Sequence, residues 1–207
     1  KALDDEGQEV DLPLVIKAET VVQNNKINVY YVKDQFKYEV HYFYESGVEN
    51  GEIKFTEDES KAELNKKALF GSEIKLADIE DKSVEGYSLD RAVTVENGVE
   101  GNLPLVIKSD ATKNVINVYY TKDTIGYEVH YFYEVSRADE EITYEENRGI
   151  KETLSALSGT EISEYPDKVI EGYELVKVKA LDDEGQEVDL PLVIKADEEK
   201  NIINVYL

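Results

Sequence analysis

Cysteine, methionine and tryptophan are all absent from the 207 residues, and only two histidines occur. Without cysteine there is no disulfide framework, thiolate metal site or thiol nucleophile. Without methionine there is no initiator residue, so the chain reads as an excised segment of a longer protein. No apolar run approaches the roughly eighteen residues needed to span a bilayer, and no signal peptide is present. Basic residues are scarce: 23 Lys and Arg stand against 46 Asp and Glu, for a formal charge of −23 spread along the whole sequence. Such a surface argues against nucleic acid or an anionic membrane as partner, because both carry the same sign. No nucleophile elbow, phosphate loop or zinc motif occurs, so no enzyme is expected and no cofactor is implied.

What the chain does have is repetition. KALDDEGQEVDLPLVIKA occurs identically at 1–18 and 179–196, with a diverged copy, AVTVENGVEGNLPLVIKS, at 92–109. YEVHYFYE begins at Tyr38 and Tyr127, VEGY and IEGY end at Tyr87 and Tyr173, and INVY begins at Ile27, Ile116 and Ile203. The period of roughly 87 to 91 residues is too long for a solenoid and suits a small folded domain. Opening each unit at YEVHYFYE gives two complete repeats, 35–122 and 123–207. Residues 1–34 are then the back part of a preceding repeat.

Strand signals dominate each unit. Tyr38, Val40, Tyr42 and Tyr44 alternate with Glu39, His41, Phe43 and Glu45, the period of a half-buried strand, and the second copy repeats it. GEIKFTE and EEITYEE read as a short second strand. SKAELNKKALFG predicts a helix, with Ala62, Leu64, Ala68 and Leu69 as its stripe, Ser60 or Asp58 as its cap and Gly71 as its stop; GIKETLSALSGT is its counterpart, with Ile150, Leu154 and Leu157 inward and Gly159 as stop. EGYELVKVKAL, LPLVIK and INVYY supply further extended runs. The expected fold class is α+β: tandem β-grasp-like (ubiquitin-like) modules, each a mixed sheet packed on one short helix.

YEVHYFYE, a segment ending in SGT (158–160), PDKVIEGYELV (166–176) and an INVYY-type close together resemble the MucBP group of mucin-binding-protein repeats. They are also similar to SHIRT-type repeats of Gram-positive surface proteins. The resemblance spans both complete repeats and, by its tail, residues 1–34; the middle copy departs from it in lacking the proline. It implies an extracellular, cell-wall-anchored protein whose repeats act as a stalk or as weak adhesive units for host mucin or another glycoprotein.

Candidate sites follow. Fifteen tyrosines raise the prospect of sugar stacking, and in Tyr30-Tyr31 and Tyr119-Tyr120 neighbouring rings point to opposite faces, so one of each pair is expected to be exposed or at a module junction. His41 and His130 are equivalent by repeat position and join the glycan-contact set, though a strand histidine is ordinarily structural. Asp182, Asp183, Glu184, Glu187 and Asp189 offer oxygen to calcium, but they miss the EF-hand register and the middle copy has no aspartate there. Lysines and asparagines are numerous enough for an intramolecular isopeptide, which the sequence cannot pair. The preferred reading is a stalk that projects an adhesive region, with neighbouring repeats as partners. The alternative is weak multivalent glycan binding.

Overall fold

A computed structural model describes residues 1–3, 8–13, 27–138 and 141–207. The N-terminal part contributes a two-stranded hairpin, β1 (Ala2–Leu3) and β2 (Glu9–Val10). The first complete repeat contains β3 (Gln35–Glu49), β4 (Glu52–Glu57), β5 (Glu63–Leu69), β6 (Glu73–Ile74), β7 (Tyr87–Glu96), β8 (Val99–Asn102), β9 (Leu105–Val106) and β10 (Val115–Lys122). The second contains β11 (Thr124–Ala138), β12 (Glu141–Glu146), β13 (Glu152–Leu157), β14 (Glu161–Ile162), β15 (Lys177–Leu181), β16 (Glu187–Val188), β17 (Leu192–Val193) and β18 (Ile202–Tyr206).

Both repeats adopt one topology. The 15-residue β3 is central: it pairs in parallel with β10 on one edge, while β5 and β4 occupy successive stretches of the other edge. β7 and then β8 continue the sheet beyond β10. The second sheet runs β12-β11-β18-β15-β16, with β13 on β11 beside β12. Each six-stranded sheet curls into a half-barrel. The alternation in YEVHYFYE sorts as its period dictates: Tyr38, Val40 and Tyr42 are buried in the first core and Tyr127, Val129 and Tyr131 in the second. LPLVIK yields only the two-residue strands β9 and β17, paired with β6 and β14 outside the main sheets. Its Leu105, Ile107, Leu192 and Ile194 nevertheless close the two cores.

The expected α+β, β-grasp-like class is overturned: the described residues are strands joined by turns and short 3-10 segments, with no helix of seven residues or more. SKAELNKKALFG and GIKETLSALSGT, both read as helices, form β5 and β13. The reason lies in β3 and β11, whose length leaves backbone donors and acceptors along one edge that need partners. A lone helix of three turns is marginal in water, whereas a strand there satisfies both chains at once. ETLSAL also carries a period of two, since Leu154 and Ala156 pack on the core while Thr153, Ser155 and Leu157 face outward. Leu64 and Leu69, assigned to the buried stripe, are about half exposed. Asp58 and Ser60 form a turn, with Asp58 Oδ1 accepting from the Ser60 N–H at 3.1 Å, in place of the expected helix cap. Gly71 and Gly159, expected as C-caps, both have φ +74° and turn the chain out of β5 and β13.

One asparagine per repeat lies in full burial and organises the end of the sheet. Asn114 Nδ2 donates to the carbonyls of Lys37 (3.0 Å) and Lys108 (2.8 Å), and its Oδ1 accepts from Lys108 N–H at 2.8 Å. Asn201 repeats this with Gly126, Lys195 and Lys195 N–H at 3.2, 2.7 and 2.9 Å. Each thereby ties the LPLVIK run to the start of the central strand. Before each, a 3-10 turn is capped by Asp110 or Asp197.

Candidate functional site

The junction between the repeats is one residue long. β10 ends at Lys122 and β11 begins at Thr124, so Asp123 alone separates the sheets. Asp123 N–H donates to Gly86 O in the first repeat at 2.9 Å, and Asp123 O accepts from Ser158 N–H in the second at 2.9 Å. Lys122 N–H donates at 2.9 Å to Glu45 Oε2, a carboxylate that is itself buried. Gly86 has φ +79° and lies against Ser158: a Cβ on Gly86 would come within 2.1 Å of Ser158 Oγ and 2.9 Å of Ser158 Cβ. Gly172 holds the equivalent place in the second repeat with φ +88°, and a Cβ there meets nothing within 4 Å.

The sequence-derived tyrosines separate into three situations. Tyr120, of the pair in which one ring was expected to be exposed or at a module junction, is fully buried. Its ring stacks on Tyr44 (5.1 Å, 10°), and its hydroxyl donates to Asp81 Oδ1 at 2.7 Å and accepts from Lys82 N–H at 2.9 Å. Burial pushes its phenol well above the ordinary value, and the hydrogen bond to Asp81 adds to the shift. Tyr119 is also only 9% exposed, so neither ring of this pair is a free platform. Tyr119 stacks on Phe43 (5.1 Å, 25°), meets the edge of Phe55 and carries the Arg91 guanidinium 4.2 Å from its centroid. Its hydroxyl donates to Glu100 at 2.7 Å. Tyr206 repeats the arrangement with Phe132, Tyr144, Lys177 and Glu187. Tyr30 and Tyr31 are exposed, at 67% and 91%.

His41 and His130 each sit between two glutamates on the outer face of the sheet. His41 Nδ1 lies 2.6 Å from Glu57 and Nε2 3.4 Å from Glu39; His130 Nε2 lies 2.8 Å from Glu128 and Nδ1 3.1 Å from Glu146. No nucleophile is placed beside either ring by these contacts, and the carboxylates are shared with Lys151 and Arg148 in the second repeat. The calcium candidates do not converge. Asp182 Oδ1 accepts from the N–H of Glu184 (2.9 Å) and Gln186 (2.8 Å), Asp183 pairs with Lys195 (3.0 Å), Asp189 with Lys179 (2.6 Å) and Glu187 with Tyr206, Asn204 and Lys177. Hydrogen bonds from Lys195 and Lys179 hold the carboxyls of Asp183 and Asp189 below their usual range. Glu184 makes no side-chain ligand contact with this group. Among the described residues no cluster of three metal-ligating side chains occurs. The buried asparagines spend their amides on backbone groups; Lys37 Nζ and Asn65 Oδ1 lie 3.2 Å apart, on the exposed surface.

Sequence reasoning passed over a cleft that recurs in both repeats. In the first, roughly 820 Å³ is bounded by Tyr44, Tyr87, Thr56, Glu57, Asp58 and Lys61. In the second, roughly 680 Å³ is bounded by Tyr133, Tyr173, Glu145, Glu146, Asn147 and Arg148. Each contains a tyrosine pair, Tyr44 with Tyr87 (5.7 Å, 84°) and Tyr133 with Tyr173 (5.0 Å, 57°). The first cleft is the more occupied by its own chain, because Lys61 Nζ lies 4.1 Å from the Tyr44 centroid and donates to its hydroxyl at 2.9 Å. Ile150 and Leu207 stand where the first repeat has Lys61 and Tyr120. The signal was present: these tyrosines are the last of YFYE and the last of VEGY or IEGY, two of the markers that defined the period. Comparison of the chain with protein-family models and with curated proteins yields no match.

Proposed function

We propose that this chain is a spacer segment of an extracellular bacterial surface protein, similar to MucBP- and SHIRT-type repeats, which holds an adhesive region away from the cell wall. The observation that carries the reading is the one-residue junction, with the backbone of Asp123 bonded to both repeats. A spacer has to resist bending between its units, and a linker without free residues removes the conformational freedom that would allow bending. The dense negative charge favours solubility and keeps neighbouring chains apart. Electron-electron distance measurement between spin labels, one on β4 and one on β12, tests this. A single narrow distribution supports the spacer; a distribution as broad as that of a flexible tether sinks it.

A second reading, weak binding of neutral sugars, is favoured by the recurring tyrosine-lined clefts. Paired aromatic rings beside carboxylate, amide and hydroxyl groups suit a pyranose, and two such sites on one chain would act through avidity. Retention of the chain on immobilised mucin that is lost in a Tyr87→Ala/Tyr173→Ala double variant would support it. Equal retention of parent and variant, or none of either, would remove it.

A further inference from the structure

The cleft of the first repeat already holds a cation of its own chain. Lys61 Nζ lies 4.1 Å from the Tyr44 centroid, donates to the Tyr44 hydroxyl at 2.9 Å and faces Asp58 Oδ2 at 3.4 Å. The Tyr44 hydroxyl spends its proton on the Lys82 carbonyl, so toward the cleft its oxygen can only accept. Asp58 Oδ1 is taken by the N–H and hydroxyl of Ser60, which leaves Oδ2 for the ammonium. Ring, phenol oxygen and carboxylate oxygen together make a place for a positive charge. Partial burial opposes that charge, yet the bonds to Tyr44 and Asp58 hold the Lys61 pKa above its ordinary value.

The rest of the lining has the same preference of sign. Glu45, Glu57, Asp58 and Glu59 border the cleft around the Lys61 ammonium, while Val84 and Tyr87 supply apolar wall for an alkyl stem. Glu57 is shared with His41, and Glu45 accepts from Lys122 N–H. The second repeat keeps the tyrosine pair and changes the turn beside it: Asn147, Arg148 and Ile150 stand in place of Asp58, Glu59 and Lys61. Asn147 Oδ1 accepts from Gly149 N–H at 3.0 Å, Arg148 Nε lies 3.5 Å from Glu146, and Ile150 packs on the core. The carboxylate aimed at a cation is thus present in the first cleft and absent from the second.

We propose that the first cleft binds a primary alkylammonium group, presented as a lysine side chain of a partner protein, and that Lys61 is its built-in occupant. The incoming ammonium takes the place beside Tyr44 and Asp58, and Lys61, whose side chain is already 26% exposed, turns out toward solvent. Displacing Lys61 lowers the apparent affinity by the fraction of molecules in which the place is free. The formal charge of −23 draws basic partners to the chain, and the cleft selects a lysine among them by contact with its rings. The second cleft, with a guanidinium in its lining and no free aspartate, does not take this ligand. The inference rests on neither the spacer nor the sugar reading.

The test uses the full chain in about 0.15 M salt, which screens diffuse attraction, and the tripeptide acetyl-Gly-Lys-Gly-amide at up to about 10 mM. NMR follows the ring signals of Tyr44, Tyr87, Tyr133 and Tyr173. The expected result is a saturable shift at Tyr44 and Tyr87 alone in Lys61→Ala, with the parent chain binding about tenfold or more weakly. Acetylation of the peptide lysine, which removes its charge, should abolish the shift in both. Lys61→Ile, which installs the residue of the second repeat, serves if the alanine variant does not fold. Absence of a shift in the Lys61 variant overturns the proposal. So does equal affinity of parent and variant, an equal shift with the acetylated peptide, or an equal shift at the two tyrosine pairs.

Discussion

Gly86→Ala isolates the junction, because Gly172→Ala supplies an internal control with nearly the same backbone. Both glycines are in the left-handed region, at φ +79° and +88°, where an L side chain costs about 1–2 kcal/mol. Part of that cost is returned by the stiffer unfolded chain, about 0.4–1 kcal/mol, equally in both. Gly172→Ala adds a methyl to open space, so its net loss is about 1 kcal/mol. Gly86→Ala pushes the same methyl to within 2.1 Å of Ser158 Oγ and 2.9 Å of its Cβ. Rotating the hydroxyl relieves the first contact and not the second, so either the modules part or about 1–3 kcal/mol of overpacking is added. Urea unfolding of both variants, with spin-label distances across the junction, reads the two outcomes. Ser158→Gly removes both clashing atoms, so in a double-mutant cycle it should restore the Gly86→Ala junction while leaving Gly172→Ala unaffected. Equal stability and equal distance distributions for the two alanine variants, or zero coupling between positions 86 and 158, would refute the contact and weaken the spacer reading.

Asn114→Ala and Asn201→Ala should each destabilise their own repeat by about 2–5 kcal/mol, because three backbone groups lose their bonds to a fully buried side chain together; calorimetry that shows less than 1 kcal/mol on this scale would contradict the assigned network. Tyr120→Phe should raise the Asp81 carboxyl pKa toward its ordinary value, since the Tyr120 hydroxyl is the leading cause of its depression, and carbon-detected NMR titration checks this. The sign follows: a carboxyl depressed in the folded state adds stability above its unfolded pKa of about 3.9 and loses it as pH falls through the folded value, so that acid dependence should weaken in the variant, where only the Ser83 hydrogen bonds to Asp81 remain. Excess calcium should leave the melting temperature unchanged, while Asp182→Ala lowers stability by about 1 kcal/mol through loss of its turn bonds; a calcium-dependent rise in melting temperature would reverse this assignment.

Periodicity made most strands legible. Tyr38, Val40 and Tyr42 were assigned to one face because a strand turns over at every residue, and all three are buried. β5 reads as a helix because ELNKKAL has no apolar alternation of its own to set against the helical stripe, and local spacing contains no information about the unpaired edge of β3. The clefts were missed for a related reason. Tyr44 and Tyr87 are forty-three residues apart and meet only when β7 returns to the sheet beside β10. Tyr119 and Tyr120 were correctly placed on opposite faces, yet neither is left open, because Phe43 and Phe55 cover one ring and Tyr44 covers the other.

By itself the sequence determined that the chain is built of repeated units, that it lacks thiol chemistry, that its surface is strongly acidic and that tyrosine-rich strands form its centre. These follow from composition and from short periods, which act between neighbours along the chain. Only the tertiary structure decided that the units are nearly all β, that Asp123 is held from both sides, that Gly86 lies against Ser158 and that paired tyrosines line a recurring cleft. Each of those depends on residues far apart in sequence, brought together because the backbone of a long central strand must be hydrogen-bonded along both edges.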